Sequence, residues 1–132
     1  MKIIDGRSLA QEIKSEIKRE TRKFIQQGGK TPHLAAVLVG DDGASQAYVR
    51  NKIKSCERVG FESTLIRKSE SLQEHELLEI VDKLNKNDDI DGFIVQLPLP
   101  KHIDENKIIL AIDPAKDVDG FHPANLGRMV IG

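Results

Sequence analysis

Apolar residues recur along this chain at two periods that alternate from the first residues to the last. Leu9, Ile13, Ile17, Phe24 and Ile25 follow helical spacing. Ser8 and Gln11 form an S-x-x-Q capping box in front of them, and Gly28–Gly29 provides a stop. Leu34 to Val39 is a short apolar run without alternation, the pattern of a strand covered on both faces. The turn Gly40-Asp41-Asp42-Gly43 leads into a helix over Ala44–Val59 that stops at Gly60. Phe61–Arg67 predicts a second strand. Ser71 and Glu74 then predict a capping box opening a helix with Leu77, Leu78, Val81 and Leu84 on one side. Gly92–Leu97 predicts a third buried strand, and Asp104–Ile112 a short helix ended by Asp113-Pro114. Strands separated by crossover helices imply a parallel sheet with right-handed connections. The expected fold class is α/β, a three-layer sandwich with three or four parallel strands and helices on both faces.

One residue breaks the pattern. On a wheel of about 100° per residue, Val49, Ile53, Cys56 and Val59 share a stripe, and Arg50, Asn51, Lys54, Glu57 and Arg58 lie opposite. Lys52 falls inside the stripe as its one charged member, with Tyr48 and Ser45 four and seven residues earlier on the same side. Burial disfavours a charged amine, and an amine so placed can serve as a base or proton shuttle. The ordinary alternative is that the stem snorkels and the ammonium reaches water.

Composition narrows the classes. The chain has 132 residues, 39% apolar and 31% charged, with a net charge of −1. That suits one domain with a single core. No basic stripe with interleaved aromatics points to nucleic acid. No apolar run of about 18 residues or more points to a membrane span. The opening residues lack a signal-peptide core, so a cytoplasmic protein is expected. The single cysteine, Cys56, cannot form an internal disulfide and lies on the buried stripe, where it reads as a small core residue. The four histidines are scattered, without metal spacing, and no metal is expected.

Ligands of open parallel sheets bind beyond the carboxyl ends of the strands. Three polar features should collect there: the Gly40–Gly43 turn, Gln96-Leu97-Pro98-Leu99-Pro100, and the loop Lys116–Pro123. Gln96 ends an otherwise apolar strand and needs partners for its carbonyl and its amide. It either bonds backbone or accepts from the Lys52 amine. Asp117 and Asp119 flank Val118, and extended backbone would put both carboxylates on one side. They form either a solvated turn or an acceptor for paired N–H donors. A phosphorelay receiver would need an aspartate at the end of the third strand, where Gln96 stands.

Taken together, ASQAYVRNKIKSCERVG, DGFIVQLPLP and DPAKDVDGFHPANLGRM resemble the bifunctional methylenetetrahydrofolate dehydrogenase/methenyltetrahydrofolate cyclohydrolase family. The opening IIDGRSLAQEIKSEI and the segment AVLVGDDGASQAYV add to the resemblance, which covers essentially the whole chain. It implies a folate-binding domain whose substrates are tetrahydrofolate derivatives. Tyr48 and Lys52 match the family's Y-x-x-x-K pair, with Tyr48 packing on the pterin and Lys52 as the cyclohydrolase amine. Gln96 would hydrogen-bond and orient Lys52. Asp119 would anchor the pterin N–H groups, Ser45 would support the Lys52 side, and Val95, Leu97, Pro98 and Val118 would shape the pocket wall. The resemblance also implies NADP or NAD as the hydride acceptor, bound by a second, Rossmann-type domain, and a homodimer at full length.

No G-x-G-x-x-G follows any strand. Residues 1–124 therefore read as the folate-binding catalytic domain, and 125–132 as the start of a connection to the nicotinamide domain. The apolar tail ending at Gly132 reads as a cut, so this chain is expected to be a fragment, able to stand as a monomer and with no cofactor site of its own. Its expected activity is none as dehydrogenase and little as cyclohydrolase. The alternative is a folate-binding or interaction module without turnover.

Overall fold

The computed structural model describes residues 5–132. Ile3 and Ile4 of the opening motif lie outside the described residues. The chain runs α1 (Gly6–Gln26), β1 (His33–Val39), α2 (Gly43–Val59), β2 (Glu62–Lys68), α3 (Glu74–Asn85), β3 (Gly92–Val95), α4 (Glu105–Ala111) and α5 (Pro123–Ile131). The three strands form a parallel sheet in the order β2-β1-β3. Ala36 pairs with Leu65 on one side and Ile94 on the other. A single parallel bridge from Phe93 to Asp117 marks the place beyond β3.

β1 and β3 are buried on both faces, which explains their unbroken apolar runs, whereas β2, at the sheet edge, alternates exposed and half-buried residues. On one face Ala35, Val37, Val39, Phe93 and Val95 pack with Leu77, Val81 and Leu84 of α3 and Ile108 of α4. On the other, Ala36, Leu38 and Ile94 pack with Val49 of α2. Helix α1 lies against α2, with Thr21 buried beside Gly60. The architecture is the expected helix–sheet–helix sandwich.

Two capping assignments shift. Helix α1 starts earlier than its Ser8 box: Asp5 is the N-cap, accepting from the Arg7 and Ser8 N–H groups at 3.0 and 3.2 Å, while the Ser8 hydroxyl donates to the same carboxylate. Helix α3 starts later than its Ser71 box, with Gln73 as N-cap and the Glu76 carboxylate accepting the Gln73 N–H at 2.8 Å. Glu74 instead turns to Lys107 and the Asp104 N–H, tying α3 to α4. The tail is helical. His122 caps α5, whose Met129, Val130 and Ile131 are exposed.

Candidate active site

Helix α2 starts because the Asp42 carboxylate accepts the Ser45 N–H at 2.7 Å, and it ends because Gly60 takes φ +87°. Between these stops the helix presents Ser45, Tyr48 and Lys52 toward the end of β3. Ser45 is buried and Tyr48 is 64% exposed. The Lys52 side chain is 29% exposed, so it is neither sealed in the apolar seam nor free in water.

The Lys52 ammonium donates to Asp119, at 3.1 Å to Oδ1 and 3.4 Å to Oδ2. It also lies 5.9 Å from the centre of the Tyr48 ring, within cation–π range. The resemblance implies a Lys52–Gln96 bond, and the residues alone leave Gln96 the backbone as its other option; the structure pairs Lys52 with Asp119 and Gln96 with the backbone. The Gln96 amide nitrogen donates to the Leu97 carbonyl at 2.7 Å. Its Oε1 is buried and has no hydrogen-bond partner among the described residues. Exchanging the two amide atoms would set oxygen against the Leu97 oxygen, so the orientation follows from that contact.

Asp117 and Asp119 do not act side by side. Asp119 turns to Lys52. The Asp117 carboxylate turns inward and accepts from Gly120 N at 3.0 Å, His122 N at 2.9 Å and the Asn125 amide at 3.0 Å. Burial pushes the Asp117 carboxyl up, but the donors from His122, Asn125 and Gly120 outweigh it and hold the group below the usual carboxylate range. The close approach of this loop to the sheet depends on Gly92. A Cβ there would stand 2.3 Å from Val118 Cγ1 and 3.3 Å from the Lys116 carbonyl oxygen.

Two open grooves meet at Tyr48. One, of about 340 Å³, is lined by Leu34, Tyr48, Asn51, Lys52, Ser55 and Cys56. The other, of about 250 Å³, is lined by Asp42, Ala44, Ser45, Tyr48, Gln96, Leu97 and Pro98. Their sizes border the range of small-molecule sites. Asn51, assigned by the wheel to the opposite face, lies in the groove wall. Ser55, three residues after Lys52, is a wall residue that the spacing could have supplied. Val95 is buried behind Gln96, and Val118 is 55% exposed on the loop above. The Leu97–Pro98 peptide bond is cis. Burial, chiefly, pushes the Cys56 thiol above its usual range, in keeping with a packing residue. Among the described residues no group of three or more His, Cys, Asp or Glu side chains could hold a metal ion.

An amine, a carboxylate and a partnerless carboxamide oxygen around an aromatic ring can receive a flat, polar heterocycle. The comparisons agree with that chemistry. The family model described as "Tetrahydrofolate dehydrogenase/cyclohydrolase, catalytic domain" matches residues 4–119. The bifunctional protein FolD of Flavobacterium johnsoniae is 57% identical over 131 residues, which are 99% of this chain and 44% of that protein. This chain thus spans less than half the length of that curated relative. The crystal structure of the Campylobacter jejuni bifunctional enzyme FolD, a methylenetetrahydrofolate dehydrogenase/cyclohydrolase, superimposes with a TM-score of 0.92 at 42% identity. The match covers 96% of this chain and 45% of that one. The Trypanosoma brucei dehydrogenase-cyclohydrolase, solved with NADP cofactor and inhibitor, gives a TM-score of 0.92 at 33% identity, covering 98% of this chain and 44% of the other. With the family match running through the sheet, α2 and the Asp119 loop, the chain belongs to the tetrahydrofolate dehydrogenase/cyclohydrolase catalytic-domain family.

Proposed function

We propose that this chain is the folate-binding, catalytic part of an enzyme that oxidises methylenetetrahydrofolate and hydrolyses methenyltetrahydrofolate to formyltetrahydrofolate. Residues 1–124 form that domain in this reading. The single observation that carries it is the Lys52–Asp119 pair beside Tyr48, whose second groove is also lined by Gln96, with an oxygen that lacks a donor.

The energetics favour an exchange of partners. A carboxylate–ammonium pair exposed to this degree is worth about 1 kcal/mol. A buried, unsatisfied acceptor costs about 1–3 kcal/mol. A pterin that gives its N–H groups to Asp119 takes the carboxylate away from Lys52. The amine then turns to Gln96 Oε1, and the second gain offsets the first loss. Tyr48 flanks the heterocycle, Ser45 supports the wall below it, and Val95, Leu97, Pro98 and Val118 close its sides.

Methenyltetrahydrofolate carries a delocalised cation at its bridge carbon. Water adds to that carbon through oxygen, and Lys52, once its ammonium has given a proton to solvent beside the bound cation, takes the proton that water loses. The hydroxyl on that carbon then gives its remaining proton to solvent and becomes the formyl carbonyl, one carbon–nitrogen bond breaks with its electron pair returning to nitrogen, and Lys52 passes the proton it took to that nitrogen. Gln96 cannot exchange a proton here, so it orients the amine.

The residues present do not fit the nicotinamide cofactor. The crevice beyond β1 and β3 is lined by Asp41, Asp42 and Glu70 rather than by a glycine-rich turn, and carboxylates repel a pyrophosphate. We place NADP on residues outside this chain. Among the described residues no helix is long and apolar enough to cross a membrane. The lone buried Cys56 suits a reducing compartment, and the reading places the protein in the cytoplasm.

Lys52→Met in the full-length gene product tests the reading. The expected result is a loss of methenyltetrahydrofolate hydrolysis of about 100-fold or more, with tetrahydrofolate binding kept within about threefold, since one exposed pair is worth little. Unchanged hydrolysis would remove Lys52 from catalysis. A protein that binds folate without turnover before and after the change would be a binding module.

A further inference from the structure

We propose that Asp117 is a positioning residue for folate binding: it folds the loop after α4 so that Asp119 aims across the cleft at Lys52. The inference rests on the folate reading above and deepens it, since Asp117 makes no hydrogen bond to Lys52 and lines neither of the two grooves that meet at Tyr48. The chain leaves the sheet edge at Asp117, pinned by the Phe93 bridge and by the Phe93 N–H donating to the Lys116 carbonyl at 3.0 Å. It must reverse quickly to start α5 at Pro123. Gly120, at φ +70°, supplies the reversal. Asp117 Oδ1 takes the Gly120 N–H, and Oδ2 takes the His122 N–H and the Asn125 amide.

Asn125 donates a second time, to the Pro114 carbonyl at 2.8 Å, so both ends of the loop are tied through one side chain. The His122 ring accepts the Ala124 N–H at 3.1 Å and caps α5. Asp119 sits inside this clamp, two residues from the carboxylate that organises it. Asp119 has no other side-chain tie than the one to Lys52 among the described residues. Its direction is therefore set by the backbone that Asp117 holds. A carboxylate accepting several N–H donors is a strong organiser because each bond is charge-assisted.

The test is a double-mutant cycle read by calorimetric titration of the full-length gene product with tetrahydrofolate. The variants are Asp117→Asn, Asp119→Ala and the pair. Asn in place of Asp117 sets an N–H₂ group either against the Gly120 N–H or against the His122 and Asn125 donors, so at least one bond of the clamp is lost in either orientation. The expected result is a loss of affinity of about tenfold for Asp117→Asn alone, shrinking to less than about twofold when Asp119 is already alanine. A merely structural role would give the same loss in both backgrounds, and that additivity overturns the proposal, as does an unchanged affinity. Asp119→Ala alone serves as the control: if it leaves binding intact, the folate reading itself fails and the proposal falls with it. Thermal unfolding reports whether each variant folds. Where Asp117→Asn does not, Asn125→Ala, which removes one donor of the clamp, carries the same cycle with the same two outcomes.

Discussion

Gln96 bears opposite demands from folding and from chemistry. Its Oε1 is buried without a donor, which costs stability, and the same lack leaves it able to receive the Lys52 amine. Gln96→Met keeps the volume and removes the unsatisfied oxygen. It also removes the amide donor to the Leu97 carbonyl, so unfolding stability in urea titration should stay within about 1 kcal/mol of the parent while methenyltetrahydrofolate hydrolysis slows. A loss of more than about 2 kcal/mol would mean that the oxygen already has a partner, such as an ordered water. The sequence exposed this residue, because a glutamine closing the run FIVQ has to be accounted for. It did not expose the pairing. Spacing along one helix places Lys52, Tyr48 and Ser45 together, but which of two acceptors holds the amine depends on a loop sixty-odd residues later. That loop's direction comes from Asp117, whose three donors all follow it in sequence and carry no periodic signal.

At the scale of elements, the Asp119 loop is held by a near-contact and by a charge. Gly92→Ala would press its Cβ against Val118 and the Lys116 carbonyl. Val118 can rotate, but the carbonyl is fixed by the Phe93 N–H, so a loss of about 1–2 kcal/mol is expected from denaturant unfolding. Adding Val118→Ala should recover part of it, and no recovery would place the strain elsewhere.

The charge gives a pH signature. The folded Asp117 carboxyl titrates below its ordinary value of 3.8, chiefly because the His122, Asn125 and Gly120 donors prevail over burial. Its stabilisation is therefore fully present above that value and lost as pH falls through the lower, folded one. The gap in urea midpoint between the parent and Asp117→Asn should be constant near neutrality and close on acidification below about pH 4. A gap that does not change with pH would contradict the clamp.

Element types were readable from periodicity, whereas element starts were not. Asp5 outcompetes Ser8 because a carboxylate reaches two N–H groups. Glu74 leaves its expected box because Lys107 and the Asp104 N–H, more than thirty residues or about that far along the chain, offer it better partners. Local capping rules do not contain such partners.

For the whole molecule, the sheet order β2-β1-β3 brings the ends of α2, β3 and the Asp119 loop to one cleft. The burial of β1 and β3 on both faces made this arrangement legible, since an unbroken apolar run between amphipathic helices has few other solutions. Helix α5 was not legible. Its Pro123-Ala124-Asn125-Leu126-Gly127 start carries a helix-weakening glycine, and its exposed Met129, Val130 and Ile131 show no inward face among the described residues. The acidic crevice at Asp41, Asp42 and Glu70 predicts that the 132-residue chain does not bind NADP in calorimetric titration. Micromolar binding would move the cofactor onto this domain. The account as a whole turns on one exchange of partners, and a crystal structure of the full-length gene product with bound tetrahydrofolate observes it directly. The predicted result is a pterin hydrogen-bonded to Asp119, with the Lys52 amine withdrawn to Gln96 Oε1. A Lys52–Asp119 pair left intact, with the folate bound elsewhere, would contradict it.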